Sequence, residues 1–193
     1  MALRDSSASW GLVSRVLHWL MAVMLISMLG LGAYMVEFEV DLIARFKLTQ
    51  LHKSFGFTVF VLGLIRLIWR LTPGVRPLYP PAMKAWERKA ARASHLAFYA
   101  LMIAMPLTGW LVASASPLND ADAFPFRVAN TVFDLFELPD PFNPGSKSLA
   151  GTFAFVHTTL AVGLAALLLV HVAAALKHAF IDRDDVLSRM LRG

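Results

Sequence analysis

Apolar residues in this chain fall in four unbroken blocks, not at the 3.6-residue or two-residue periods of half-buried helices and strands. The blocks run from about Val16 to Val36, Leu51 to Leu71, Ser94 to Ala113 and Phe153 to Leu176. Each is close to the ~20 residues that carry a helix across a bilayer. A helix apolar on all sides needs protein or lipid all around it. The pattern predicts an all-α membrane protein, a four-transmembrane-helix bundle forming one domain over residues 1–193. The first block is too long for a signal-peptide core, and no small-x-small site follows it.

The polar intervals differ in character. Glu37 to Gln50 reads as a short acidic loop, and the stretch holding Pro73, Pro77, Pro80 and Pro81 as an extended basic connection. The longest interval is Ser114 to Gly151. Within it, Phe126 to Leu138 sets Val128, Val132, Phe133, Leu135 and Phe136 on roughly one helical face. Two readings stand for that segment: a short amphipathic helix on the membrane interface, or a mobile loop tip.

Composition agrees with the blocks, at 58% hydrophobic and a mean hydropathy of +0.61. Lys and Arg concentrate at the N-terminus (Arg4, Arg15), between the second and third blocks (Arg66, Arg70, Arg76, Lys84, Arg88, Lys89, Arg92) and at the C-terminus (Lys177, Arg183, Arg189, Arg192). The two other connections hold only Arg45, Lys47, Arg127 and Lys147 and carry most of the acids. The positive-inside rule then puts both termini of a multi-pass membrane protein in the cytoplasm. The net charge of +5 is accounted for by topology and does not point to nucleic acid. There is no cysteine, which excludes iron–sulfur clusters, disulfides and thioether-linked haem.

Ionisable side chains within a bilayer mark function by default. Of six histidines, five lie within or at the edge of the spans. His157 and His171 are fourteen residues apart on the fourth block. That offset returns to within about 40° of the same face after a rise of ~21 Å. One helix face thus offers two imidazoles, one near each membrane surface. His52 matches the depth of His157, and His18 that of His171. Two bis-histidine sites stacked across the membrane would hold two haems b and let electrons pass between the faces.

The same offset links His18 to Gly32, His95 to Gly109 and His52 to Arg66. Gly32 and Gly109 would leave porphyrin clearance at the outer depth, as would Gly163 between the two fourth-block histidines, unless they serve only helix contact. Arg66 would reach a propionate at the inner depth. For His95 and His178 the choice is between quinone chemistry and simple access to interfacial water.

The runs Arg15-Val-Leu-His18-Trp19, Leu51-His52-Lys53-Ser-Phe-Gly56, Ser94-His95-Leu, Pro106-Leu-Thr-Gly109, His157-Thr-Thr-Leu and His171-Val-Ala-Ala-Ala-Leu-Lys-His178 resemble the bacterial cytochrome b-561 family. The resemblance covers all four spans. It implies a di-haem four-helix bundle, related to the cytochrome b subunits of hydrogenases and formate dehydrogenases, with the first and fourth helices ligating the inner haem iron and the second and fourth the outer. For small stand-alone members it implies superoxide oxidase activity, from superoxide at the periplasmic face to ubiquinone.

On that reading Arg45, Lys47 and Lys53 form a positive funnel for superoxide, or else serve propionates and lipid headgroups. Arg70, Ser94, His95 and His178 would hold the quinone near the inner haem. The alternative function is a membrane cytochrome subunit relaying electrons between a periplasmic dehydrogenase or hydrogenase and the quinone pool. A metal transporter would normally place Asp or Glu within the spans, and none falls in the four blocks.

Overall fold

The computed structural model describes residues 2–38, 41–119, 128–142 and 144–192. Four long helices dominate: α1 (Leu12–Glu37), α2 (Leu42–Leu71), α3 (Ala85–Ser114) and α4 (Lys147–Lys177). All four are long and apolar enough to cross a membrane. They alternate in direction, so both termini lie at one end, here the terminal end. The α1–α2 and α3–α4 connections lie at the other, the far end. After Lys177 the chain widens into a π-turn over His178–Asp182, reverses at Arg183 in the left-handed region (φ 54°), and ends in the short α5 (Val186–Leu191).

All four helices begin earlier than hydropathy alone suggests, and for α2, α3 and α4 capping explains where. The Asp41 carboxylate accepts from the Ile43 and Ala44 N–H groups, so α2 starts within the expected acidic loop and carries Arg45 and Lys47 on its first turns. The Glu87 carboxylate accepts from the Lys84 N–H at 2.9 Å, which places Arg88, Lys89 and Arg92 on α3 and not in the connection. Ser146 caps α4 by accepting from the Leu149 N–H. Each cap satisfies donors that the first helical turn leaves open.

The expected interfacial helix over Phe126–Leu138 is a correction. Phe126 and Arg127 lie outside the described residues. The remainder is a small hairpin, β1 (Thr131–Val132) against β2 (Phe136–Glu137), turning through Phe133 and Asp134 at φ 49° and 57°. Contacts with α2 decide its form. The Phe133 N–H donates to the Ser54 hydroxyl at 2.9 Å, Phe133 meets Phe55 edge-on and Phe136 meets Phe57. The apolar residues counted as one helical face are thus divided between turn and strands on the end of α2.

Packing is uneven. Close contacts join α1 to α2, α2 to α3 and α3 to α4 in sequence order. Gly63 permits the α2–α3 approach, since a Cβ there would stand 3.3 Å from the Met102 Cβ. The fully packed layer consists of Met21, Leu25, Val59, Met102 and Leu164 at mid-bundle. Leu164 is seven residues from both His157 and His171, on their face of α4. The apolar core therefore fills the middle of the bundle and leaves a histidine layer on either side.

Candidate functional site

At the far end, the His52 and His157 ring centres are 6.4 Å apart, bridging α2 and α4. At the terminal end, His18 and His171 are 6.2 Å apart, bridging α1 and α4. Neither helix pair is among the closely packed ones. The paired imidazoles thus face each other across slots where the backbones stand off.

Glycines set the far-end rings. A Cβ at Gly32 would stand 3.5 Å from the His52 Cε1, and one at Gly109 would stand 3.1 Å from the His157 Cε1. Both glycines sit directly behind an imidazole, and the close approach at Gly109 leaves no slack for a side chain. A Cβ at Gly163 would meet nothing within 4 Å. Thr108, which the sequence reading passed over, places its hydroxyl 2.9 Å from the His157 Nδ1. Its signal was the Pro106-Leu-Thr-Gly109 run, but which ring it would touch depends on how α3 packs against α4. The His52 Nδ1 is buried with no hydrogen-bond partner, an expense that a purely structural histidine would normally avoid.

The terminal end is more crowded. His171 has His95 at 5.8 Å and Phe98 at 5.2 Å in addition to His18. Arg66 reaches this layer as its offset from His52 predicts, with Nη2 2.9 Å from the His18 Nδ1 and Nη1 donating to the Leu17 carbonyl. Arg66 and Arg70 both lie in electrostatic reach of His95.

Residues 9–193 match the family profile of prokaryotic cytochrome b561. The chain belongs to this family. It is 35% identical to cytochrome b561 homolog 2 of Escherichia coli K12, covering 99% of this chain and 95% of that protein. It is also 28% identical to cytochrome b561 homolog 1 of the same organism, over 74% of this chain and 73% of the relative. Membership makes the chain a multi-pass membrane electron-transfer protein that binds haem b.

The far-end pair suits a b561 haem. Two imidazoles on one metal, with bonds of ~2 Å and ~1 Å from each nitrogen to its ring centre, stand about 6 Å apart. The far-end rings match that span and lie in an open slot. The terminal-end pair matches the span as well, with one local conflict. Arginine only donates, so the His18 Nδ1 accepts from Arg66 and the ring proton is left on Nε2. Metal ligation needs the Nε2 lone pair, so that tautomer and ligation through Nε2 exclude each other.

The remaining expected site residues are divided. Arg45 is exposed one heptad beyond His52 on α2. Lys47 lines a cleft of about 720 Å³ between α2 and the hairpin, together with Gln50, Ser54, Thr131 and Asp134. Lys53 donates to the Asn130 carbonyl oxygen of its side chain at 2.9 Å, and Asn130 is joined in turn to Asp140. Six residues apart on one helix, Lys47 and Lys53 point to different sides, so the three cations form no compact cluster.

At the terminal end, Ser94 donates to the Ala91 carbonyl. His178 is buried rather than open to water, its Nδ1 2.7 Å from Asp184 and 3.0 Å from Asp182. Lys177 bridges Asp182 and Glu87, tying the end of α4 to the start of α3. A groove of about 430 Å³ at this end runs between α1 and α5, lined by Arg15, Trp19 and Leu191, and does not include His95 or His178.

Proposed function

We propose that the chain holds two haems b, one on His52 and His157 and one on His18 and His171, and passes electrons between superoxide and ubiquinone. The observation that carries this reading is the pair of facing histidine couples, at 6.4 and 6.2 Å, both anchored on one face of α4. Each bound haem supplies a one-electron carrier. The four imidazoles would hold the two groups at opposite ends of the bundle, with the Met21, Leu25 and Leu164 layer between the couples. The excess of Lys and Arg at the terminal end supports a cytoplasmic location for both termini and the bacterial inner membrane as the site. His18 is the preferred partner of His171 because the two face each other from α1 and α4 as His52 and His157 do from α2 and α4. A propionate of the bound haem would offer the Arg66 guanidinium an anionic partner in place of His18.

Ubiquinone is held at the terminal end by Arg70, Ser94, His95 and His178. His178 suits a proton-handling role, because carboxylates fix its Nδ1 and leave the other ring nitrogen to a ligand. Superoxide approaches the far end, attracted over a distance by Arg45, Lys47 and Lys53 rather than bound in a pocket.

Stopped-flow reduction by superoxide tests this directly. Attraction over a distance requires the rate to fall as the Debye length shrinks from ~30 Å at about 0.01 M salt to ~10 Å at about 0.1 M. Replacing the two exposed cations together, Arg45→Glu with Lys47→Glu, should slow reduction about tenfold at low salt and flatten the salt dependence, with both haem spectra intact. A slow reaction indifferent to salt and to both cations would instead favour the relay between a periplasmic dehydrogenase or hydrogenase and the quinone pool. Haem reoxidation by a soluble quinone should slow in His95→Ala and His178→Ala. Wild-type rates in both would move the quinone to the far end.

A further inference from the structure

The Nδ1 of His157 lies 2.9 Å from the Thr108 Oγ1, and that hydroxyl lies 2.9 Å from the Met105 carbonyl oxygen. A hydroxyl has one proton to give, and a carbonyl can only accept. With the Thr108 proton given to the Met105 carbonyl, Oγ1 meets His157 with lone pairs alone, and the His157 Nδ1 supplies the hydrogen. The imidazole is thereby held as the Nδ1–H tautomer, with its Nε2 lone pair free for a metal.

Gly109 completes the socket by bringing the α3 backbone close behind the ring, where a Cβ would stand 3.6 Å from Nδ1 and 3.1 Å from Cε1. Gly109 limits how far the ring can retreat, while Thr108 fixes its rotation. Across the slot the His52 Nδ1 has no partner, and at the other end the His18 Nδ1 accepts from Arg66. Among these three rings, only His157 is set by its surroundings to donate from Nδ1.

We propose that Thr108 is a positioning residue for the far-end haem, fixing the tautomer and rotation of His157 so that Nε2 meets the iron. The proposal rests on the assignment of His52 and His157 as a haem couple. Partners of a ligand's second nitrogen commonly contribute ~10–100-fold in metal affinity. Because the hydroxyl is a neutral partner, the lower end, about tenfold, is expected here. A donated N–H also makes the ligand more basic and favours ferric iron, so losing it raises that haem's midpoint potential.

Purified holoprotein is compared as wild type, Thr108→Val, Thr108→Ala, Thr108→Ser and His157→Ala. The measurements are haem release to excess apomyoglobin, low-spin ferric electron paramagnetic resonance and redox titration. Thr108→Val and Thr108→Ala should release the far-end haem about tenfold faster, shift its resonance and raise its potential, leaving the terminal-end haem unchanged. Thr108→Ser should restore wild-type values. Wild-type release and potential in both the Val and Ala variants would overturn the proposal. So would a Ser variant that behaves like Val, because packing rather than the hydroxyl would then be the cause. A His157→Ala protein retaining both haems defeats the couple itself, which separates that failure from the failure of Thr108.

Discussion

The two histidine layers have similar ring separations but different surroundings. The far-end couple is a neutral socket: two glycines behind the rings, one hydroxyl on His157, and no charged side chain hydrogen-bonded to either imidazole among the described residues. The terminal-end couple has a third histidine, a phenylalanine and an arginine in contact with it. Steric fit governs the first, and electrostatics governs the second. Such a division suits electron transfer in which one layer only exchanges electrons and the other also meets a substrate that takes up protons.

Removing a ligand should have the largest effect and tests whether the layers are separate sites. His157→Ala should lose only the far-end haem and His171→Ala only the terminal-end one, as measured by the haem-to-protein ratio and low-temperature reduced spectra. If His18→Ala keeps two haems while His95→Ala loses one, His95 takes the place of His18 in the couple.

A smaller effect sharpens the steric side of the contrast. At Gly109 a Cβ falls 3.1 Å from the His157 ring, whereas at Gly32 it falls 3.5 Å from His52, an ordinary contact. Gly109→Ala should therefore lower far-end haem occupancy clearly, and Gly32→Ala hardly at all. Equal occupancy in the two variants would mean that ring clearance does not limit the far-end site.

The smallest shift tests the electrostatic side. Arg66→Gln removes a cation beside His18, so the terminal-end haem should become harder to reduce. A fall of about 60 mV is expected, one tenfold step for a one-electron couple. The far-end potential should not move. An equal shift at both haems would show that the arginine acts through the whole bundle instead of through its own layer.

Much of the fold was legible because the features concerned lie within single helices. The four spans follow from apolar length, and the alignment of His157 with His171 follows from the helical repeat. Helix starts were less legible, since hydropathy does not register the Asp41, Glu87 and Ser146 side chains that cap polar turns. The hairpin was not legible because its turn conformation depends on Ser54, Phe55 and Phe57 of α2, which are distant in sequence.

The sequence by itself determined the membrane-spanning class, the even number of spans that returns both termini to one end, and the spacing of two imidazoles on one face of α4. All three depend on composition and the regular rise of a helix, which need no partner. Only the tertiary structure decided that Gly32 backs His52, that Gly109 and Thr108 seat His157, and that His171 has both His18 and His95 as neighbours. The rotation and separation of neighbouring helices come from packing at contacts such as Gly63 against Met102. Those contacts join residues far apart in the chain, and no local pattern encodes them.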